Sequence, residues 1–214
     1  ERFPGTGASR LYDPWQTASR IIPLVNCFHW RNWDHMWSIE NSNSHVEGFH
    51  GVEEFIGCPT MEGSGLINVR DYVRCLASGK VLSGTTPIEV ADRLDHLAET
   101  ARLGAEQVQG DDPDLQATLD DIRGMTWLGQ YYAAKIRAAA SLALFRATGE
   151  QSHQDRAIQE IQSAYDACTR YVDHSQARYH PQMLARTGPF DWSAMLAGAR
   201  KDVALVKAAG GSSK

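Results

Sequence analysis

The sequence predicts an all-α protein: an antiparallel helical bundle that carries an irregular, aromatic-rich N-terminal third. Most segments after residue 65 combine a capping residue, apolar side chains three or four residues apart and a closing glycine, which is typical of helices. No segment alternates apolar and polar side chains over the length of a strand, so we expect no sheet. We divide one overall domain into an irregular segment with short helices at 1–65, a helical bundle at 66–209 and a frayed tail at 210–214.

The longest predicted helix covers 113–148. Asp112 before it can supply an N-cap oxygen, and Gly149 after it is typical of a helix end. Ser152 is expected to cap the next helix, at 153–178. Because the connection between the two helices is short, they are predicted to be antiparallel neighbours.

Two further helices have recognisable starts. Thr86 and Glu89 have the spacing of a capping box, before a helix that Gly110 is expected to close. Asp191 is the predicted N-cap of a final helix at 192–208. The inner face of that last helix is expected to hold Leu196, Ala199, Val203 and Val206.

The helices nearer the N terminus are predicted to be shorter. One covers 68–78 and ends at Gly79. Another begins with Asp-Pro at 13–14. Pro23 is expected to end or kink that helix near Ile22, because proline lacks the backbone N–H that a helix interior uses.

Length and charge argue against two classes of function. The chain has 214 residues and a formal net charge of -5, without a basic run, which argues against a nucleic-acid partner. No apolar run reaches the roughly 18 residues that a membrane-spanning helix needs, so no membrane partner is predicted.

Cysteine and histidine spacing predicts no metal centre and no cofactor. The chain has no Cys-x-x-Cys motif, and no histidine pair has the i, i+4 spacing of a helical zinc site. The His-Val-Glu at 45–47 lacks the Pro-Cys-x-x-Cys partner of a zinc deaminase. A disulfide between Cys58 and Cys75 and a set of buried thiols are both consistent with the sequence.

The most distinctive stretch is FHWRNWDHMWSIENSNSHVEGFH, at 28–50. If it is helical, Trp30, Trp33 and Trp37 share one face, and their rings could stack on the apolar faces of sugars. The alternative is that the rings fill the core, since aromatic side chains bury large areas. The polar side chains between them favour a surface on which not all three rings are buried. The predicted carbohydrate-binding residues are Trp30, Asn32, Trp33, Asp34, His35, Trp37 and His50.

Carboxylates in and after the same stretch are candidates for catalysis. Glycoside cleavage uses two carboxyl groups, one as general acid and one as base or nucleophile. The candidate catalytic residues are Asp34, Glu40 and Glu47, with a histidine assisting. Their spacing along the chain does not select a pair.

Two basic residues, Lys135 and Arg137, lie in the alanine-rich part of the longest predicted helix. Charges among apolar residues are rarely left unpaired. Their expected partners are Asp120, Asp121 or acids of the N-terminal third. The alternative is a cleft rim that holds an acidic sugar.

Four sequence segments resemble those of a known family: DPWQTASRIIPLV, TPIEVADRLDHLAETA, LDDIRGMTWLGQYYAAKIRAAASLALFRATGE and GPFDWSAML. Over about 11–192 the chain resembles the helical C-terminal region of large secreted bacterial carbohydrate-active proteins related to α-glucuronidase-type glycoside hydrolases. The resemblance implies a helical region that packs against a catalytic barrel, and hence a fragment whose barrel is missing. It also implies a secreted or periplasmic location, and it transfers no catalytic residue.

The leading interpretation is an accessory, non-catalytic helical domain of a glycan-degrading protein. Such a domain would contact carbohydrate, acidic polysaccharides included, or support a neighbouring catalytic domain. The second interpretation is a self-contained polysaccharide hydrolase or lyase that uses carboxylates and a histidine of 28–54. The third is a helical scaffold that binds another protein through a groove.

Overall fold

Helices make up most of the residues that the computed structural model describes, which are 10–31, 37–184 and 188–210. The predicted all-α fold is confirmed. The helices are α1 (Tyr12–Ala18), α2 (Ile21–Phe28), α3 (Val52–Gly57), α4 (Val69–Ser78), α5 (Pro87–Glu106), α6 (Pro113–Thr148), α7 (Gln151–Arg178) and α8 (Trp192–Ala208).

The central element is α6, which packs against both α5 and α7, while α7 also packs against α8. Ala138, Ala139 and Ala140 of α6 are fully buried, and their small side chains leave room for neighbouring helices. Phe28 and Phe55 of the N-terminal third belong to the same hydrophobic core. Helices α2 and α3, which carry these two rings, therefore pack on the bundle.

The helix starts predicted from Thr86, Asp112 and Asp191 are confirmed, whereas α1 begins at Tyr12, so Asp13 lies inside its first turn. Asp112 and Asp191 accept hydrogen bonds from backbone N–H groups in the first turns of α6 and α8. The Thr86 backbone N–H donates to Glu89 Oε2 at 2.7 Å, and the Glu89 N–H donates to Thr86 Oγ1 at 3.2 Å. Asn68 caps α4 in the same way. Capping patterns could be read from the sequence because all their partners lie within three residues.

The predicted start of α7 is wrong by two residues. The helix begins at Gln151, with Glu150 at the N-cap, so Ser152 lies inside the first turn. The reason is the left-handed conformation of Gly149, whose φ is 72°. This conformation reverses the chain within a few residues, so α7 begins almost directly after α6.

The predicted end of α5 is also too late. The helix ends at Glu106, and Gly110 lies in the following loop. The N–H groups of Gln107 and Val108 bond to carbonyls three residues earlier, at 3.2 and 3.1 Å. This tighter winding is common at helix ends, and it stops the α-helical pattern before the glycine.

The expectation that Pro23 ends the first helix is wrong as well. The break falls at 19–20, and Pro23 is the third residue of α2. Proline is tolerated there because the first N–H groups of a helix have no partner within it.

The structure contains two small antiparallel sheets, so the expectation of no sheet is wrong. In the N-terminal third, β1 (Trp37–Ser38), β2 (Asn43–Ser44) and β3 (Gly48–Phe49) pair in that order. Between α7 and α8, β4 (Gln182–Leu184) pairs with β5 (Gly188–Phe190). Strands of two or three residues are too short to show the alternation that predicts a strand.

The inner face of α8 is turned slightly from the predicted one. Leu196 and Val203 are only partly buried, whereas Met195 and Asp202 are buried along with the predicted Ala199 and Val206. A hydrogen bond to a buried carboxylate explains the difference. The Asp202 carboxylate accepts a hydrogen bond from the backbone N–H of Val52 at 2.9 Å, which draws this side of α8 inward.

The predicted partners of the two basic residues of α6 are wrong. Lys135 is fully buried, and its Nζ lies 3.4 Å from the carboxylate of Asp202. Arg137 pairs with Asp92 at 2.8 Å and Asp95 at 2.6 Å, both on α5. Sequence reasoning chose acids on α6 itself and in the N-terminal third, whereas the packing of α5 and α8 on α6 decides the pairs.

Cys58 and Cys75 are free thiols in the structure. Cys58 is buried, and burial raises the pKa of its thiol to about 12. It therefore behaves as a small buried apolar side chain at neutral pH.

Among the described residues, no helix is both long and apolar enough to cross a membrane.

Replacing Lys135 with methionine is expected to lower the free energy of unfolding by about 3–5 kcal/mol, because it leaves the Asp202 carboxylate buried without its cation. Adding Asp202→Asn is expected to restore part of that loss, since the amide oxygen can still accept from Val52. Urea denaturation followed by circular dichroism measures both changes.

The matched control is Lys201→Met, which changes an exposed lysine next to Asp202. It should alter stability by less than about 0.5 kcal/mol. Equal effects of Lys135→Met and Lys201→Met would show that the buried ion pair does not stabilise the fold.

Candidate functional site

The structure buries His50 of the aromatic stretch, and the partly buried Trp37 packs against the core. The two rings stack with their centroids 5.3 Å apart, and His50 is fully buried. Trp30, by contrast, is 39% exposed just after α2, which agrees with the expectation that not all three tryptophans are buried. Asn32, Trp33, Asp34 and His35 lie outside the described residues. The sugar-binding role of the stretch stays a prediction.

A pair of histidines lies at the centre of this aromatic cluster. His29 Nε2 and His50 Nδ1 are 2.7 Å apart, and Phe55 stacks on His29 at 4.2 Å. The candidate catalytic residue Glu47 lies 3.3 Å from His50 Nε2 and 3.2 Å from Arg31. Glu47 is thus tied into a chain of polar contacts that links the surface to the core.

A surface cleft lies elsewhere on the molecule, where the N-terminal third meets α6, α7 and the start of α8. Its volume is about 320 Å³, which is within the range of small-molecule sites. Trp15, Ile22, Glu40, Asp120, Asp121, Gly124, Met125, Leu128, Tyr171, His174, Ser175, Tyr179 and Trp192 line it. We call this the α6–α7 cleft.

Aromatic side chains form part of the walls of the α6–α7 cleft. Trp15 of α1 is 54% exposed, and Tyr179, directly after α7, is 41% exposed. Tyr179 stacks on Trp192 with the ring centroids 6.2 Å apart, and Phe190 supports Trp192 from its edge at 4.7 Å. The cleft therefore presents exposed ring surface on a backing of buried rings.

Three carboxylates line the same cleft. Glu40 belongs to a short 3₁₀ helix, Ile39–Asn41, and its Oε2 accepts a hydrogen bond from the Ser38 hydroxyl at 2.7 Å. Asp120 and Asp121 are neighbours on α6. Among the described residues, Glu40 is the only predicted catalytic candidate that lines the α6–α7 cleft.

The surroundings of the two aspartates differ. Asp120 forms ion pairs with Arg123, at 2.5 Å, and with Arg178. Asp121 accepts a hydrogen bond from the hydroxyl of Tyr179. Two cations thus compensate Asp120 directly, while the direct partner of Asp121 is a neutral hydroxyl, which Arg178 also contacts.

A histidine and a tyrosine complete the polar lining. His174 Nε2 lies 2.9 Å from the backbone carbonyl oxygen of Asp120, so this nitrogen carries the proton that is donated. Trp127 contacts the His174 ring edge-on at 5.0 Å. Burial raises the pKa of Tyr171, so its hydroxyl stays protonated over the working range of most enzymes. Together these groups offer hydrogen-bond donors and acceptors beside exposed rings.

Sequence reasoning missed most of this cleft. Trp15, Tyr179 and Trp192 are aromatic residues outside the 28–50 stretch, and Asp120 and Asp121 were considered only as ion-pair partners. A usable signal was the short turn between α6 and α7. Asp120 lies 28 residues before the end of α6, and Tyr179 lies 28 residues after the start of α7, so an antiparallel hairpin brings them together.

The stability of the protein is expected to fall as the pH drops below about 6.5, in part because of His29. Burial lowers the pKa of His29 well below its ordinary value, and His50, Arg31 and Lys135 lower it further. In the unfolded chain His29 binds a proton below about pH 6.5, whereas the folded protein resists it. Each pH unit in this window removes up to about 1.4 kcal/mol.

His29→Gln is expected to flatten this dependence, because glutamine does not titrate. Urea denaturation at pH 7.5 and 5.5 measures the difference in the free energy of unfolding between the two pH values. His45→Gln changes an exposed histidine and should retain the wild-type difference. An unchanged difference in His29→Gln would contradict the assignment to His29.

Comparison with known proteins bears on the fold. No protein-family model matches the chain, and no curated protein matches it. Among solved structures, the chain is similar to a GH138 enzyme targeting pectin rhamnogalacturonan II, with a TM-score of 0.78 and 14% sequence identity. The match covers 96% of this chain and 32% of that chain, so this chain spans about a third of that enzyme's length.

At this low identity the match shows a shared fold. The all-α fold of this chain occurs within a glycoside hydrolase, in line with the resemblance of its sequence to carbohydrate-active proteins. The more specific link to α-glucuronidase-type enzymes stays a prediction.

Proposed function

We propose that the chain is an accessory helical domain of a glycan-degrading protein, and that the α6–α7 cleft contacts the carbohydrate. The observation that carries this proposal is the combination of exposed rings and carboxylates in one cleft: Trp15 and Tyr179 beside Glu40 and Asp121. Neither feature alone points to sugar.

Sugars need both features at once. The C–H groups on one face of a sugar ring are apolar and pack on an indole or phenol ring, with contacts of the kind that aromatic side chains make in protein interfaces. The sugar hydroxyls around the rim need hydrogen-bond partners when they leave water. Carboxylates accept from hydroxyls in strong, charge-assisted hydrogen bonds. A cleft with rings on its walls and carboxylates beside them meets both demands.

The context of the domain is also part of the proposal. The likeness of the fold to part of a GH138 enzyme supports a place within a glycan-degrading protein. The resemblance of the sequence supports a catalytic barrel beside the domain. A secreted or periplasmic location follows from the same context. The core shared by Phe28, Phe55 and α6 supports treating 1–65 and 66–209 as one domain.

A second function is favoured by the position of Glu40. It lines the α6–α7 cleft together with Asp120 and Asp121, although it comes from the N-terminal third and they come from α6. Carboxylates from different elements at one cleft are the arrangement that glycoside hydrolysis uses. A self-contained hydrolase would therefore use Glu40 with Asp121, the aspartate that accepts from the neutral hydroxyl of Tyr179, whereas Asp120 pairs with two arginines.

Trp15→Ala is expected to weaken glycan binding roughly tenfold, because it removes the most exposed ring of the cleft, a loss of about 1.4 kcal/mol. A panel of neutral and acidic oligosaccharides, screened by tryptophan fluorescence and isothermal titration calorimetry, measures the affinity. The matched control is Trp30→Ala, which removes another exposed tryptophan outside the cleft.

The two tryptophans separate the competing sites. Loss of binding in Trp30→Ala with normal binding in Trp15→Ala would move the carbohydrate site to the 28–50 stretch. If the folded wild-type chain binds no oligosaccharide of the panel, carbohydrate binding is refuted.

Glu40→Gln separates the accessory domain from the hydrolase. For a hydrolase, this change should abolish release of reducing sugar while binding persists, because the amide keeps the shape of the side chain but has no charge and cannot take up or release a proton. For an accessory domain, neither the wild type nor the variant releases reducing sugar from any glycan that binds.

A further inference from the structure

We propose that the α6–α7 cleft selects neutral sugar units over uronic acids. This inference rests on the proposed function, and it concerns the chemical class of the sugar. All charged residues that line the cleft are acids, namely Glu40, Asp120 and Asp121, and the part of the chain that the structure describes contributes no lysine or arginine to the lining.

The arginines near the cleft neutralise one of these three carboxylates more than the other two. Arg123 and Arg178 both pair with Asp120. The hydroxyls of Tyr179 and Ser38 donate to Asp121 and Glu40, and a neutral donor leaves the negative charge of a carboxylate in place. The charge that faces a ligand is therefore that of Glu40 and Asp121.

Hydrogen-bond chemistry points in the same direction. A carboxylate can only accept, and a sugar hydroxyl can donate to it. The carboxylate of a uronic acid is also only an acceptor, so it cannot satisfy Glu40 or Asp121, and its charge repels theirs. Like charges close together in a partly enclosed site weaken binding.

Neither arginine belongs to the lining of the cleft, and a uronate that reached them would compete with Asp120 for their N–H groups. The side chain of Asp120 is 16% exposed. A carboxylate with so little access to water becomes costly when its cations turn away. The two arginines are therefore better placed to hold Asp120 than to bind a second carboxylate.

A matched pair of probes tests charge alone. The first is a short oligogalacturonide, and the second is the same oligomer with every carboxyl group methyl-esterified. The 214-residue chain is titrated with each by calorimetry at low salt. We expect the ester to bind about tenfold more tightly, and the ratio to shrink at high salt because salt screens exposed charges.

Two variants locate the effect. Asp121→Asn keeps an acceptor for the Tyr179 hydroxyl and removes the charge, so it should lower the preference for the ester to about threefold or less. Asp155→Asn removes an exposed charge near the start of α7, far along the helix from Tyr179, and should leave the preference unchanged.

The outcomes distinguish the two proposals. Binding of the charged oligomer as tightly as the ester, or more tightly, overturns selection for neutral sugars and leaves carbohydrate binding intact. A preference that Asp121→Asn and Asp155→Asn reduce equally also overturns it. Failure of both oligomers and of the whole oligosaccharide panel overturns the proposed function, and this inference with it.

Discussion

The ammonium group of Lys135 is the charge around which the N-terminal third is arranged. Burial in an apolar interior costs an ion several kcal/mol unless partners surround it, so acceptors have to converge on one point of α6. They come from three parts of the chain: the N-terminal third, α6 itself and α8. Nζ donates to the carbonyl of His50, to Ser42 Oγ at 3.4 Å and to Tyr131 Oη at 2.8 Å, and Asp202 of α8 supplies the opposite charge. Few packings can satisfy this set, so the cation fixes how the β1–β3 sheet sits on the bundle.

The α6–α7 cleft depends on the same arrangement. The Tyr132 hydroxyl, three residues from Lys135, donates to the carbonyl of Ile39 at 2.5 Å. This contact anchors the 3₁₀ helix that carries Glu40, so Glu40 reaches the wall of a cleft whose aspartates lie a few turns away on α6. Tyr132 does not line the cleft, yet its hydrogen bond helps to shape it. Part of the polar sequence at 41–50 serves the core: Ser42 Oγ accepts from Lys135, and its hydroxyl donates to the carbonyl of His50.

The bundle could be predicted from the sequence because its signals are local. The cap of α6 by Asp112 needs only the residues that follow it. The cleft could not be predicted in this way, because Trp15, Glu40 and Trp192 meet only after α1, the 3₁₀ helix and α8 have packed on α6 and α7. The density of aromatic residues at 28–50 was also ambiguous. Whether a ring such as Trp37 faces water is decided by distant partners such as Tyr132, whose centroid lies 6.1 Å away.

The α6–α7 hairpin has the cleft at its open end and the α6–α7 turn at its closed end, far from the cleft. The cleft lies near Asp120 and Tyr179, which are 28 residues from the end of α6 and from the start of α7. The turn at Gly149 is therefore about 42 Å away, at 1.5 Å per residue. The turn residues are exposed, and exposed turns accept insertions well. A fluorophore or a surface tether attached at this turn would report on the protein, or immobilise it, without touching the α6–α7 cleft. The α6–α7 turn is thus a suitable attachment site for single-molecule experiments.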